Sequence, residues 1–153
     1  MRIKIESPDQ ADVIELIAEL DAYQDSLYPA ESRYALDLAS LKKSNVRFVV
    51  ARDQADRAVG CGAIVLYESF AELKRMYVMQ HSRGKGVAQA ILSSLEQAAA
   101  AAGYTHFKLE TGPSQPAALA FYAKSGYTPC ARFANYRDDP NSVYLHKLNS
   151  GGA

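Results

Sequence analysis

The sequence predicts a mixed α/β domain in which a mainly antiparallel sheet is flanked by helices. Three observations carry that expectation. Residues 45–79 hold three strand-like runs joined by short turns, which suits antiparallel neighbours. A glycine-led helix with a continuous apolar stripe then separates two strands, the pattern of a strand–helix–strand crossover. The segment 58–68, AVGCGAIVLYE, is apolar almost throughout, so it is expected to be covered on both faces.

The elements follow in order. IKI at 3–5 reads as a short strand. Ser7, Pro8 and Gln10 read as a helix start with a capping box, ahead of Val13, Ile14, Leu16, Ile17, Leu20 and Tyr23 at helical spacing. Pro29 ends that pattern, and a weaker helix is expected over 32–41. Strands follow at 45–53, 58–68 and 71–79. The helix after residue 86 carries Val87, Ala88, Ile91, Leu92, Leu95, Ala98, Ala99 and Ala102 on one stripe, and Gly103 is placed to end it. HFKLET at 106–111 is a strand. A short helix begins at Pro116 and stops before Gly126, and strands are expected at 127–133 and 142–148 around the loop NYRDDPN. Residues 1–149 read as one domain and 150–153 as a short flexible tail.

With 153 residues, 48% of them apolar, the chain can bury a sizeable core. Seventeen basic and seventeen acidic residues balance, so net charge draws it to neither nucleic acid nor a membrane surface. The N-terminus lacks an apolar signal region and no apolar run is long enough to span a bilayer, so a cytoplasmic protein is expected. Cys61 and Cys130 form no CxxC and share no metal-ligand spacing with His81, His106 or His146. Each is expected to act as a small buried hydrophobe, and no metal is expected.

HSRGKGVAQAIL at 81–92 places two glycines and two cations ahead of a helix. Such a corner points backbone N–H groups into one concavity, where the helix dipole adds to their field and suits an anion. A nucleotide P-loop is excluded because Gly86, not a hydroxyl residue, follows Lys85. A dinucleotide fingerprint is excluded because Gln89 stands where its third glycine belongs.

Arg83, Gly86 and Ala88 form R-x-x-G-x-A after the strand ELKRMYV. This resembles the acetyl-coenzyme A motif of the GCN5-related N-acetyltransferases (GNAT). QPAALAFYAKSGY at 115–127 is similar to the family's second signature, with Gln115 where asparagine is common. The resemblance implies an acyl-CoA N-acyltransferase fold with splayed middle strands. It implies acetyl-CoA as co-substrate, held by Met76, Tyr77, Val78, Arg83, Gly84, Lys85, Gly86, Val87, Ala88, Gln115 and Tyr122. The gap would lie between 76–78 and 108–110, with the Val78 N–H on the thioester carbonyl. Tyr122 would protonate the leaving thiolate. Glu72 aligns with the strand glutamate used as a base by some members, and Glu110 is the second candidate. Lys74 and Arg75 are expected on an exposed strand face, or else against phosphates or an acidic substrate.

The implied acceptor site combines 22–36 with 133–141. Tyr23, Tyr28, Tyr34 and Tyr136 are its candidate walls. Asp25 or Glu31 could draw an ammonium, and Arg33 or Arg137 a carboxylate. Both segments also resemble a small bacterial subgroup of the family. The expected activity is transfer of acetyl to a primary amine of a small molecule or peptide by direct attack. Alternatives are O-acetylation, or a non-catalytic acyl-CoA sensor or partner module. A homodimer fits the resemblance.

Overall fold

A computed structural model describes residues 1–134 and 136–149. The tail expected at 150–153 lies outside them. One seven-stranded sheet runs in the order β1-β2-β3-β4-β5-β7-β6. Its strands are β1 (Arg2–Ile5), β2 (Val46–Arg52), β3 (Ala58–Leu66), β4 (Ala71–Val78), β5 (His106–Thr111), β6 (Thr128–Pro129) and β7 (Val143–Leu148). All neighbours are antiparallel except β4 and β5. Among the described residues four α-helices accompany them: α1 (Ala11–Asp25), α2 (Leu38–Leu41), α3 (Val87–Ala101) and α4 (Pro116–Lys124).

Two cores flank the sheet, as the apolar run in β3 requires. α3 lays Val87, Ile91, Leu92, Leu95 and Ala99 on one face, where α4 adds Tyr122. α1 and α2 cover the other with Val13, Leu16 and Leu41 against Phe48, Val50, Cys61 and Ala63. Cys61 is fully buried, and burial pushes its thiol up to about 12. Cys130 is only half-buried, so the expected burial holds for one cysteine of the two.

Three elements depart from expectation. α1 begins at Ala11 and has no side-chain cap, because Ser7 Oγ accepts from Asp9 N instead and the Gln10 side chain turns to Glu6 and Arg52. The helix expected over 32–41 is a 3₁₀ turn at Ala30–Ser32 and the single turn α2, capped by Asp37. Between them Arg33 is pulled to Asp21, and the Tyr34 carbonyl accepts from Lys74, so tertiary bonds replace helical ones. The strand expected over 127–133 pairs only at Thr128 and Pro129, since proline supplies no N–H to a ladder.

Arg52, on β2, ties the N-terminus down. Its buried guanidinium meets Glu6, Gln10, Asp12 and the Asp56 carbonyl. Its hydrogen bonds hold Glu6 and Asp12 below the usual carboxylate range. Both acids are partly solvated, so Arg52→Leu is expected to cost about 2–3 kcal/mol at pH 7, under the usual cost of breaking a fully buried pair. Lowered pKa values give stability that is lost as pH falls through them, so the penalty should shrink below about pH 4. Urea unfolding of both proteins at pH 7 and pH 3.5 measures it.

Candidate active site

A bulge in β4 shapes the site. Gly60 faces Val78 and Cys61 faces Tyr77, but Ala63 faces Lys74, so β4 carries one residue more than β3. Arg75 is the extra residue, with φ +60°. Alternation is therefore broken: Leu73, Met76 and Val78 pack with the α3 face, whereas Lys74 and Arg75 both turn to the α1 side. Gly62 makes room opposite the bulge, since a Cβ there would lie 2.6 Å from Met76 Sδ.

Beyond the bulge β4 and β5 part. Their parallel pairing covers only Ala71–Leu73 with Phe107–Leu109. The gap therefore faces Met76–Val78 on one side and residues 110–112 on the other. This corrects the expected 108–110, because Lys108 and Leu109 are still paired. Met79 N donates to Val59 O at 2.8 Å. Along a strand successive amides alternate sides, so the Val78 N–H points away from β3 and into the gap. Arg83 Nε donates to the Val78 carbonyl at 2.9 Å, and its guanidinium stacks over Tyr77.

At the end of β4, Gly84 and Gly86 both adopt positive φ, +76° and +81°, and a Cβ on either would meet nothing within 4 Å. Glycine is demanded by conformation here, while the space outside stays open. Gly86 caps α3 without a side chain, so the first-turn amides of Val87, Ala88 and Gln89 have no intrahelical acceptor. Lys85 is exposed on the same turn.

The gap opens into a cavity of about 120 Å³, lined by Met76, Leu109, Glu110, Gly112, Gln115 and Tyr122 among others. Tyr122 is buried, edge-on to Phe121 and Tyr127, and burial pushes its phenol up. Among the described residues nothing hydrogen-bonds its hydroxyl. Gln115 accepts from the Tyr28 hydroxyl, which also takes the Ser114 N–H. Tyr28 lies so close to Gly112 that a Cβ there would sit 1.8 Å from its hydroxyl.

Period-two alternation puts Glu72, Lys74 and Glu110 on the face opposite α3. Glu72 is enclosed, 1% exposed, and does not line the cavity. The Tyr136 hydroxyl donates to it at 2.5 Å, and Lys74 Nζ lies at 3.5 Å and donates to the same phenol at 2.7 Å. Burial pushes the Glu72 carboxyl up against the pull of Lys74 and Tyr136. Glu110 does line the cavity. Burial raises its pKa too, opposed by the Ser142 hydroxyl that donates to it at 2.8 Å.

Lys74 and Arg75 are not on an exposed face; their side chains are 12% and 7% exposed and both line the cavity. Burial crosses the strand because of the bulge, which no local pattern announces. Tyr28, Tyr34 and Tyr136 are walls as expected, but Tyr23 is exposed and lines nothing. Asp25 is paired with Arg33, and Glu31 and Arg137 lie outside the cavity, where Arg137 donates to the Glu31 carbonyl at 2.6 Å. Tyr34 to Asp139 and Asn141 to Ser32 complete a clasp between the 30–34 and 137–141 segments. Asp21 was not foreseen. It sits on α1 between Arg75 and Arg33, and those arginines overcome its burial and hold its pKa down.

The sequence model of the acetyltransferase (GNAT) family matches residues 13–127. The chain belongs to this family. An IAA acetyltransferase of Azospirillum brasilense is 42% identical over 144 residues, covering 93% of this chain and 94% of that protein. The N-acetyltransferase YsnE of Bacillus subtilis, itself uncharacterized, is 33% identical over 96% of this chain and 99% of its own. A Klebsiella pneumoniae structure assigned to the acyl-CoA N-acyltransferases is 38% identical, with a TM-score of 0.85 and 96% of both chains covered. The splayed β4–β5 pair and the glycine turn at its mouth are thus features of a GNAT acetyltransferase. Among the described residues no helix is long and apolar enough to cross a membrane, and no cluster of three or more His, Cys, Asp or Glu could hold a metal ion.

Proposed function

We propose that this GNAT protein transfers the acetyl group of acetyl-CoA to a primary amine of a small molecule by direct attack. The observation that carries the reading is the continuity of two features. The open turn at 84–88, with its free amides, leads into the gap that the Arg75 bulge creates. The turn suits a pyrophosphate, supplemented by Lys85 and Arg83, and the gap suits an extended pantetheine arm with Gln115 at its far side. The clasp over the cavity favours a small acceptor over a folded protein.

Acetyl-CoA supplies an activated acyl thioester. The chain's residues then divide the work. The Val78 N–H faces the gap, where it would meet the thioester oxygen as negative charge grows on it. Glu110 takes the proton from the attacking nitrogen, and its raised pKa fits it to hold that proton. The N–C bond forms, the C–S bond breaks, and Tyr122 donates its phenolic proton to the departing sulfur. Glu72, behind Tyr136, sets the position of that phenol and of Lys74.

The test is thiol release from acetyl-CoA over a panel of primary amines, with calorimetry of CoA binding alongside. Turnover above the hydrolysis blank is expected. CoA binding without turnover on any amine would instead leave a non-catalytic binding module. Tyr122→Phe is expected to lower kcat about tenfold with CoA affinity unchanged. The effect is modest because a thiol of pKa near ~8.5 leaves without full protonation. An unchanged kcat would remove the role.

A further inference from the structure

Tyr28 links the segment after α1 to the loop between β5 and α4. It is buried, and its N–H donates to the Gln24 carbonyl at 3.0 Å, so α1 fixes its backbone. Its hydroxyl meets two groups across the cavity. The Ser114 N–H donates to it at 3.2 Å, and it lies 3.2 Å from Gln115 Oε1. A phenol carries a single proton, and Ser114 already supplies a donor to its oxygen. The phenolic proton therefore goes to Gln115, and only the amide oxygen can accept it. The reverse orientation of the amide would give the phenol a second donor and leave its own proton without an acceptor. Gln115 is thus turned one way, oxygen to Tyr28 and nitrogen away from it.

That nitrogen has no acceptor among the described residues. It is not sealed either, since Arg75 Nε alone among their side-chain polar atoms is both buried and without a partner. Gln115 stands at the N-cap of α4 without capping it, so its side chain has no task within its own helix. The residue lines the cavity. It therefore brings an accessible, unspent N–H₂ group to that space.

We propose that Tyr28 is a positioning residue for the cofactor, its hydroxyl turning the Gln115 amide so that the N–H₂ group donates to a carbonyl oxygen of the pantetheine arm. Pantetheine is built around amides, whose carbonyls are acceptors of the class that group takes. The proposal rests on the acetyl-CoA reading and goes beyond it, because it gives a tyrosine outside the cofactor turn control over cofactor affinity. Gly112 belongs to the same device, since a Cβ there would sit 1.8 Å from the Tyr28 hydroxyl and displace it.

Calorimetry with CoA and with adenosine 3′-phosphate 5′-diphosphate, which lacks the pantetheine, tests it. Tyr28→Phe keeps the ring and removes the hydroxyl. It should weaken CoA binding about tenfold, the scale of one well-placed hydrogen bond, and leave nucleotide binding unchanged. Gln115→Ala should do the same. In the double variant the two losses should not add, because both remove one contact. Equal weakening of CoA and nucleotide, additive losses, or no loss in Tyr28→Phe would each overturn the proposal and leave the acetyl-CoA reading intact. A wild-type protein that binds neither ligand would sink that reading and the proposal with it. If Tyr28→Phe does not fold, NMR of the wild type decides. The Gln115 side-chain amide resonance should shift with CoA and not with the nucleotide, and a resonance that CoA leaves in place would overturn the proposal.

Discussion

Glu110→Gln is expected to lower kcat/KM for amine acetylation by about 10² to 10³. A primary amine of pKa near ~10 is neutral in only about one molecule in 300 at pH 7.5, and a positioned proton acceptor typically contributes about 10² to 10⁴. The glutamine keeps the Ser142 hydrogen bond and the side-chain volume, so CoA affinity should not change. The wild-type rate should rise with pH through the carboxyl's pKa, which burial places above the ordinary range. That acidic limb should vanish in the variant. Glu72→Gln is the companion. If it lost more activity than Glu110→Gln and abolished the limb that Glu110→Gln retained, the two carboxyls would have to exchange roles.

The same substitution has a stability signature. Burial favours the protonated form of Glu110 in the folded state, so its folded pKa exceeds its unfolded one. Such a group contributes fully below the unfolded pKa, and its contribution is lost as pH rises through the folded value. Glu110→Gln should therefore match wild type at pH 4 and become the more stable protein toward pH 7. Thermal unfolding across that window reads the crossover, and a constant difference would contradict it.

Gly62→Val is expected to be the most damaging substitution outside the chemistry. The first new atom would already lie 2.6 Å from Met76 Sδ, 2.8 Å from Leu95 Cδ1 and 2.9 Å from Ile91 Cγ2. Overpacking of a close core costs about 1–3 kcal/mol, and this site faces a bulge that cannot yield without moving Arg75. A loss of about 3 kcal/mol, or roughly 10 °C in Tm, should follow. Acetyl transfer should fall even in the folded fraction, because Met76 and Val78 line the gap. A Tm within 2 °C of wild type would show that β4 does not depend on that contact.

Much of the molecule was legible because its signals are local. The stripe on α3, its stop at Gly103, the proline at the start of α4 and the apolar run of β3 each state their own environment. The glycine turn is readable for the same reason, since Gly84 and Gly86 report a backbone that other residues avoid. Local signals also misled where tertiary bonds outweighed them. Arg33 and Tyr34 leave the helix that 32–41 suggests because Asp21, Lys74 and Asp139 hold them elsewhere.

The sequence by itself determined the element order, the two-sided burial of the sheet and the turn that opens α3. Only the tertiary structure decided which carboxyl meets the cavity and which cations wall it. Glu72 and Glu110 share a face by alternation, yet the Tyr136 phenol seals one and not the other. Lys74 and Arg75 are consecutive, and consecutive strand residues normally face opposite sides. A single extra residue opposite Gly62 sets both toward α1, and that register is fixed by pairing between strands, which no local pattern within β4 records.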